Sequence, residues 1–354
     1  PVITLKEARR LATEARSRAQ QGTDVATATR LEKIERILAN SFKELAEDYM
    51  ARAAHALSAS YRAETRRYLD KDILPRIGGI PAKALAPAEL VVMVERIAER
   101  SKAAARAAFT MVSAIFDHGI AKHIVTANPC AVLKVSAIIG QERAPRARVS
   151  LTDDQLREFF KALPGLGKEN ELAIKIMLAT AVRKGELSKA RWEHVDLDTG
   201  LWRIPPENQK MRERKKDSAA EFVIPLPPLV VGWFRELKPI AGYSRMVMPA
   251  RHRRNAEPIN HSTLNRALSK LPKGLPAITP HDLRSTARSH IAALGVSIIV
   301  AERCLNHALG GLVGIYDQHD YLGERRHALE LWAAKLEAAE KGEVFKVVPI
   351  RQVA

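Results

Sequence analysis

The stretch Thr279-Pro280-His281-Asp282-Leu283-Arg284, continued by Leu305-Asn306-His307 and Leu312-Val313-Gly314-Ile315-Tyr316, decides how the rest of the chain is read. Pro280 suits the first turn of a helix, where no backbone N–H is needed. Residues three apart share a helix face, so His281 and Arg284 are expected to project together. The pattern predicts a helix through Ser285, Ala287, His290 and Ala293 that stops at Gly295, a residue free to take the left-handed conformation that ends helices. A second helix is predicted from Ile298 to Leu305. A glycine turn at Gly310-Gly311, the Tyr316 segment and a charged helix from Glu324 to Lys335 follow.

Two earlier stretches give this order its meaning. Arg183 lies in Thr180-Ala181-Val182-Arg183-Lys184-Gly185-Glu186-Leu187, and Lys210 ends Glu207-Asn208-Gln209-Lys210 on a predicted hairpin. The series Arg183, Lys210, His281-x-x-Arg284, His307, Tyr316 resembles the catalytic signature of the tyrosine recombinases, the phage integrase family. Tyr316 stands nine residues after His307, the usual family interval. Leu305-Asn306-His307 is similar to the Leu-Asn-His box of prophage and genomic-island integrases, and Tyr316 through Glu324-Arg325-Arg326 resembles their tyrosine segment. Tyr321, five residues further on, does not fit the interval.

The resemblance implies a role for each residue. Tyr316 would be the nucleophile, Arg183 and Arg284 would bind the scissile phosphate, and His281 and His307 would hydrogen-bond it and relay the phenolic proton. Lys210 would protonate the departing 5′ oxygen, with Lys215 or Lys216 as alternatives in the cluster Lys210, Arg212, Arg214, Lys215, Lys216. Glu186 would orient Arg183 or a neighbouring donor. Ala181 replaces the usual Gly, a mild departure at a non-catalytic position. A free phenol has a pKa of about 10, so only about one in a thousand is ionised at neutral pH, and nearby cations must stabilise its anion. Permanently charged guanidiniums that donate in pairs suit the charge of a pentacovalent phosphorane. A 3′-phosphotyrosine would then hold the bond energy until a 5′-hydroxyl attacks, so no cofactor is expected.

Composition agrees with a polyanionic partner. Lys and Arg number 57 against 40 Asp and Glu, a formal net charge of +17 over 354 residues. Double-stranded DNA is the first expectation for such an excess. A membrane is the rival, but no long apolar run or amphiphilic anchor appears. Cys130 and Cys304 lie far apart and suggest no disulfide framework, which fits a reducing, cytoplasmic setting. Cys304-x-x-His307 with His281 or His319 lacks the ligand number and spacing of a zinc site, so no metal is expected.

The fold class expected is mostly α with a small β-sheet (α+β). Residues 1–40 resemble the helical remainder of an amino-terminal arm-binding domain, from Leu5-Lys6-Glu7-Ala8-Arg9 and Gly22-Thr23-Asp24, whose strands would precede Pro1. Residues 41–134 read as a helical core-binding domain, opened by a Ser41/Glu44 capping box. There Lys43, Arg62, Arg66, Lys102 and Arg106 are candidates for the DNA-facing surface. Residues 135–150 read as a basic linker with Arg146 and Arg148 as phosphate contacts. Residues 151–340 read as the catalytic domain, capped by Thr152 and Gln155, with Arg212 and Arg253 as further DNA contacts. Residues 341–354 form a tail with the apolar run Val344 to Ile350, expected to dock on a neighbouring protomer.

The function implied is site-specific integration or excision of a mobile element. The protein would be monomeric when free and homotetrameric in the synaptic complex, with an accessory DNA-bending protein or excision factor as a further partner. A catalytically silent DNA-binding regulator and a type IB topoisomerase are the alternatives. The intact catalytic set disfavours the first, and the separate helical domain and arm-like amino terminus disfavour the second.

Overall fold

The computed structural model describes residues 41–54, 57–141, 146–209, 220–250, 257–307 and 319–345, with the isolated positions 4, 9, 10, 13 and 16. The chain divides into two units, Pro1–Pro145 and Arg146–Ala354. Each has its own apolar core.

In the first unit α1 (Phe42–Arg52) is opened by Ser41, whose hydroxyl accepts from the Glu44 amide while the Glu44 carboxylate accepts from the Ser41 amide. This reciprocal cap satisfies N–H groups that a helix start leaves unpaired. Helix α2 (Ala59–Tyr68) runs through a π-type turn, Leu69–Ile73, into the short α3 (Leu74–Ile77). Pro75 explains the widening, because it has no N–H to return to residue 71 and its ring crowds that carbonyl. Asp72, buried in the turn, is held by two bonds from Arg100 at 2.9 and 3.0 Å. Helices α4 (Pro87–Ala98) and α5 (Lys102–Ala121) complete the packing around Phe42, Leu45, Leu90, Val112 and Phe116. The stretch read as a linker opens with a helical turn, α6 (Val135–Ile139), which packs on α4 and α5 because Ile139 reaches the core and Val135 and Ile138 flank it.

In the second unit α7 (Asp153–Ala162) carries the Thr152/Gln155 cap. Helix α8 (Lys168–Thr180) is buried from Asn170 to Thr180. A helix apolar on most sides belongs in the centre of a domain, and α8 is flanked by α10 (Pro228–Ala241), α12 (Pro280–Ala293) and α14 (Leu322–Glu340). Lys175 on α8 is buried yet paired, with Glu171 one turn back and with Glu340 of α14 at 2.6 Å. Between α9 (Lys184–Ser188) and α10 lies an antiparallel sheet in the order β1 (Val195–Asp196), β2 (Leu201–Ile204), β3 (Phe222–Pro225). Its last pair is Ile204 with Phe222. Helices α11 (Thr263–Leu268) and α13 (Ile298–Cys304) complete the unit, which has the mostly α, small-sheet architecture that the sequence predicts. Among the described residues no helix is long and apolar enough to cross a membrane.

Candidate active site

The site grows from the end of α8. Ala181 ends that helix with φ +52°, in the left-handed region that costs a residue bearing a Cβ about 1–2 kcal/mol. This is the position where the resembling sequences have Gly, and the geometry gives that Gly its reason. The reversal sets Arg183 at the start of α9, where the Glu186 carboxylate accepts both from the Arg183 amide at 2.9 Å and from its guanidinium at 2.9 Å. Glu186 is itself buried, so it fixes the guanidinium from the protein side. The other arm of Arg183 donates to the carbonyl of Asn306 at 3.3 Å.

The second arm of the site is α12. Thr279 caps it, and the buried Asp282 accepts from the Thr279 hydroxyl at 2.7 Å and from the Val149 amide at 3.1 Å. Burial opposes ionisation of Asp282, but these hydrogen bonds and the charge of Arg146 hold its carboxyl below the usual range. Two residues on, Arg284 is 3% exposed and donates to the carbonyls of Ala181 and Leu305. Burial, then repulsion from Arg183, lowers its pKa to about 10, against the opposing pull of Glu186 and Glu302. His281, exposed at the helix start, is drawn below its ordinary value by partial desolvation and by Arg148, Arg284 and Arg183, with Asp282 opposing.

The two guanidiniums therefore meet on consecutive carbonyls, those of Leu305 and Asn306, immediately before His307. Asn306 makes this corner by taking φ +49°. His307 is oriented by Glu302, whose carboxylate lies 2.5 Å from Nδ1 and also accepts from Arg288 Nε at 3.0 Å. Burial opposes the charge on Glu302, and the bonds from His307 and Arg288 outweigh it and lower its pKa. A cluster of cations held against mutual repulsion in a partly desolvated site suits a multiply charged, oxygen-rich anion.

Arg183, Glu186, His281, Arg284 and His307 are thus brought together, with Arg148 close enough to act on His281. Lys210 and Tyr316 lie outside the described residues, as do Lys215, Lys216, Arg212 and Arg253. The flanks of both stretches are described. Gln209 bonds the residue before His307, since the Asn306 amide donates to it at 3.2 Å. Beyond Tyr316, the fully buried Arg325 donates to the Asp320 carboxylate at 2.7 Å and to the carbonyl of Val223 on β3 at 2.7 Å. Tyr321 itself starts α14, with its ring against that of His319.

The other candidates for DNA contact differ in how free they are. Lys43 and Lys102 are exposed in the first turns of α1 and α5. Arg106, one turn along from Lys102, donates to the carbonyl of Gly140 at 2.7 Å, and Arg62 donates to that of Leu57 at 2.8 Å. Arg66 is committed to Glu47 by two bonds of 2.6 and 2.7 Å, which stabilise its charge within the unit. Arg146 is half exposed and bonds the carbonyl of Ala277, while Arg148 is exposed. Among the described residues no group of three or more His, Cys, Asp or Glu stands where a metal would need it. The Cys304 thiol is buried and pushed up to about 12.

Residues 149–322 match the Phage integrase family and residues 42–136 match the Phage integrase central domain. The chain is a tyrosine recombinase of the phage integrase family. The recombinase is 29% identical to the prophage integrase IntZ of Escherichia coli K12 over 347 residues, covering 97% of this chain and 83% of that one. It is 26% identical to the integrase of Enterobacteria phage P4, covering 95% and 78% of the two chains. Its fold is similar to that of a lambda integrase dimer bound to a COC′ core site, with a TM-score of 0.58, 18% identity and coverage of 97% and 91%. It is also similar to a lambda integrase tetramer bound to a Holliday junction, with a TM-score of 0.59, 18% identity and coverage of 85% and 88%.

No sequence motif gives a role to Glu302, Arg288, Gln209 or Arg325, although Gln209 and Arg325 lie inside the stretches Glu207-Asn208-Gln209-Lys210 and Glu324-Arg325-Arg326. Each acts through a partner on another stretch of chain or through a backbone carbonyl. For Glu302 alone a signal existed: a carboxylate five residues before a functional His at a helix end.

Proposed function

We propose that this recombinase integrates or excises DNA at specific sites by cutting and rejoining strands through Tyr316. The observation that carries the reading is the meeting of Arg183 and Arg284 on the Leu305 and Asn306 carbonyls, beside His307. Two forked, permanently charged groups and an oriented imidazole held at one corner are the groups that a phosphate's charged transition state calls for.

In the forward step the Tyr316 oxygen forms a bond to phosphorus as the bond to the 5′ oxygen breaks. The phenolic proton passes to His307, to His281 or to water, and Lys210 gives a proton to the departing oxygen. Arg183 and Arg284 neutralise the non-bridging oxygens, with Glu186 holding Arg183 in place. The products are a 3′-phosphotyrosine and a free 5′-hydroxyl. Resealing reverses each transfer, with Lys210 taking back the proton of an attacking 5′-hydroxyl, so the energy of the broken bond is retained without a nucleotide.

The partner is duplex DNA, contacted by the basic positions Lys43, Lys102, Arg106, Arg146 and Arg148 among others. Complete exchange would engage four protomers, an arrangement supported by the lambda integrase tetramer. An accessory DNA-bending protein or excision factor would bias the direction.

The test is covalent trapping. A nicked duplex spanning the junction between the mobile element and its flanking DNA loses a short strand on cleavage and cannot be resealed. Wild type and Tyr321→Phe should accumulate a denaturation-resistant protein–DNA complex, whereas Tyr316→Phe should give none. Trapping by Tyr316→Phe, or none by wild type, would overturn the reading.

A further inference from the structure

The described chain between β2 and Gln209 is held by one buried side chain, that of Gln209 itself. Pairing of β2 with β3 stops at Ile204 and Phe222. Beyond that pair the Gln209 amide nitrogen donates to the carbonyls of Ile204 and of Ala220, each at 3.0 Å, so one side chain ties the end of β2 to the residue two before β3. Its oxygen accepts from the Asn306 amide at 3.2 Å. Gln209 is buried, and these three bonds use both of its N–H groups and its acceptor, as a buried amide requires. Asn306 in turn offers its carbonyl to Arg183 and is followed directly by His307. Lys210 is the next residue after Gln209.

We propose that Gln209 is a positioning residue that anchors the chain immediately before the general acid Lys210 to the phosphate-binding corner formed by Arg183, Asn306 and His307. The inference rests on Lys210 being the acid. A hydrophobic residue would fill the same space, but it would leave the carbonyls of Ile204 and Ala220 without this partner and cut the link to Asn306. Gln209 does not touch the substrate. It fixes where the chain departs toward Lys210, and a misplacement of about 1 Å at a reacting group can cost about a hundredfold in rate.

The chemistry of the leaving group separates positioning of the acid from general damage. A 5′-bridging sulfur leaves as a thiolate and needs no proton, so a DNA substrate with sulfur in place of the 5′ oxygen bypasses the acid. Single-turnover formation of the covalent complex is measured on the nicked junction duplex in both forms, with Gln209→Met, Gln209→Asn and Lys210→Ala. Gln209→Met keeps the volume, while Gln209→Asn keeps the amide but is one carbon too short to reach its three partners. Both Gln209 variants should cleave the ordinary phosphodiester about 10- to 100-fold more slowly than wild type, and Lys210→Ala should lose about 10²- to 10⁴-fold. On the sulfur substrate all three should come within about threefold of wild type, because the proton they fail to deliver is no longer needed. If sulfur does not rescue Lys210→Ala, the acid assignment falls and the inference falls with it. If it rescues Lys210→Ala but neither Gln209 variant, or if the Gln209 variants cleave the ordinary substrate at the wild-type rate, the acid assignment stands and the positioning role is overturned.

Discussion

Glu302 bridges His307 and Arg288: one carboxylate oxygen lies 2.5 Å from His307 Nδ1, and the other accepts from Arg288 Nε at 3.0 Å. The bridge joins α13 to α12, so the imidazole is oriented by the same helix that supplies Arg284. With Nδ1 engaged, Nε2 is the ring nitrogen left to face a phosphate or a phenol. In metal sites, carboxylates that orient a ligating imidazole account for about 10- to 100-fold in activity, and the same orienting contact is expected to matter as much here. Glu302→Ala should therefore slow formation of the covalent complex by about 10- to 100-fold. A 5′-sulfur leaving group should not restore the rate, because in the proposed mechanism the leaving-group proton comes from Lys210. Full rescue by sulfur would place Glu302 on the side of the acid instead.

Arg183 and Arg284 should separate in stability though not in catalysis. Arg284 is buried and its fork serves two backbone carbonyls, whereas the Arg183 side chain is partly exposed and is paired with Glu186. A lysine at 284 reaches at most one of those carbonyls, and a lost hydrogen bond from a charged donor costs about 1.5–3 kcal/mol. Arg284→Lys should lower the urea midpoint accordingly, while Arg183→Lys should cost under about 1 kcal/mol. Both should lower the single-turnover rate by about 10²- to 10³-fold, the usual loss on removing one donor to a developing charge. Equal destabilisation by the two substitutions would contradict the roles drawn from their burial.

The tail prediction can be tested without harming the core. Glu340, the last residue of α14, is anchored by the buried Lys175 at 2.6 Å, so the unit has a fixed end before residue 341. Removing residues 341–354 takes away the exposed cap bonds that residues 341–343 make to the end of α14 and should leave the melting temperature within about 2 °C of the full chain. Cleavage of the nicked duplex should persist, and assembly of paired sites, followed by gel mobility, should be lost if the tail docks on a neighbouring protomer. Undiminished assembly would refute the docking.

Much of this architecture was legible because local chemistry and tertiary need agreed. The boxes at Ser41/Glu44 and Thr152/Gln155 mark helix starts that the structure has at those residues, and Gly295 ends α12 with φ +85°. The stretch from Leu172 to Leu178, apolar but for Lys175, reads as a central helix because it is apolar on most sides. What stayed hidden depends on contacts the chain makes with itself at long range. The turn Val135–Ile139 is helical because the core of the first unit receives Ile139, although its surroundings read as linker. Arg66, basic and on a plausible DNA-facing helix, is held by Glu47, a partner 19 residues away. At the site, Arg183, Arg284 and His307 are placed by backbone carbonyls and by the left-handed turns at Ala181 and Asn306. A motif lists the residues that do the chemistry and omits the carbonyls that aim them.

The pH dependence of folding should be governed in part by His290, one and a half turns beyond Arg284 on α12. Its Nε2 lies 2.7 Å from the Leu151 carbonyl, and its ring stacks on Trp332 with centroids 5.1 Å apart. Burial holds its pKa below the ordinary imidazole value, aided by Lys335 and opposed by the Leu151 carbonyl and Asp153. His261 and His281 shift in the same direction. A depressed imidazole pKa means that below about pH 6.5 the unfolded chain binds more protons than the folded one. Stability is then full above that value and is lost as pH falls through the lower, folded-state pKa. The melting temperature should decline between pH 7.5 and 5.5. His290→Phe keeps an aromatic ring beside Trp332 but removes the titrating group and its bond. It should melt lower at pH 7.5, by the equivalent of about 1 kcal/mol for the lost hydrogen bond. Its decline toward pH 5.5 should also be shallower than that of the wild type. Parallel decline of the two proteins would show that protonation of this ring does not oppose folding.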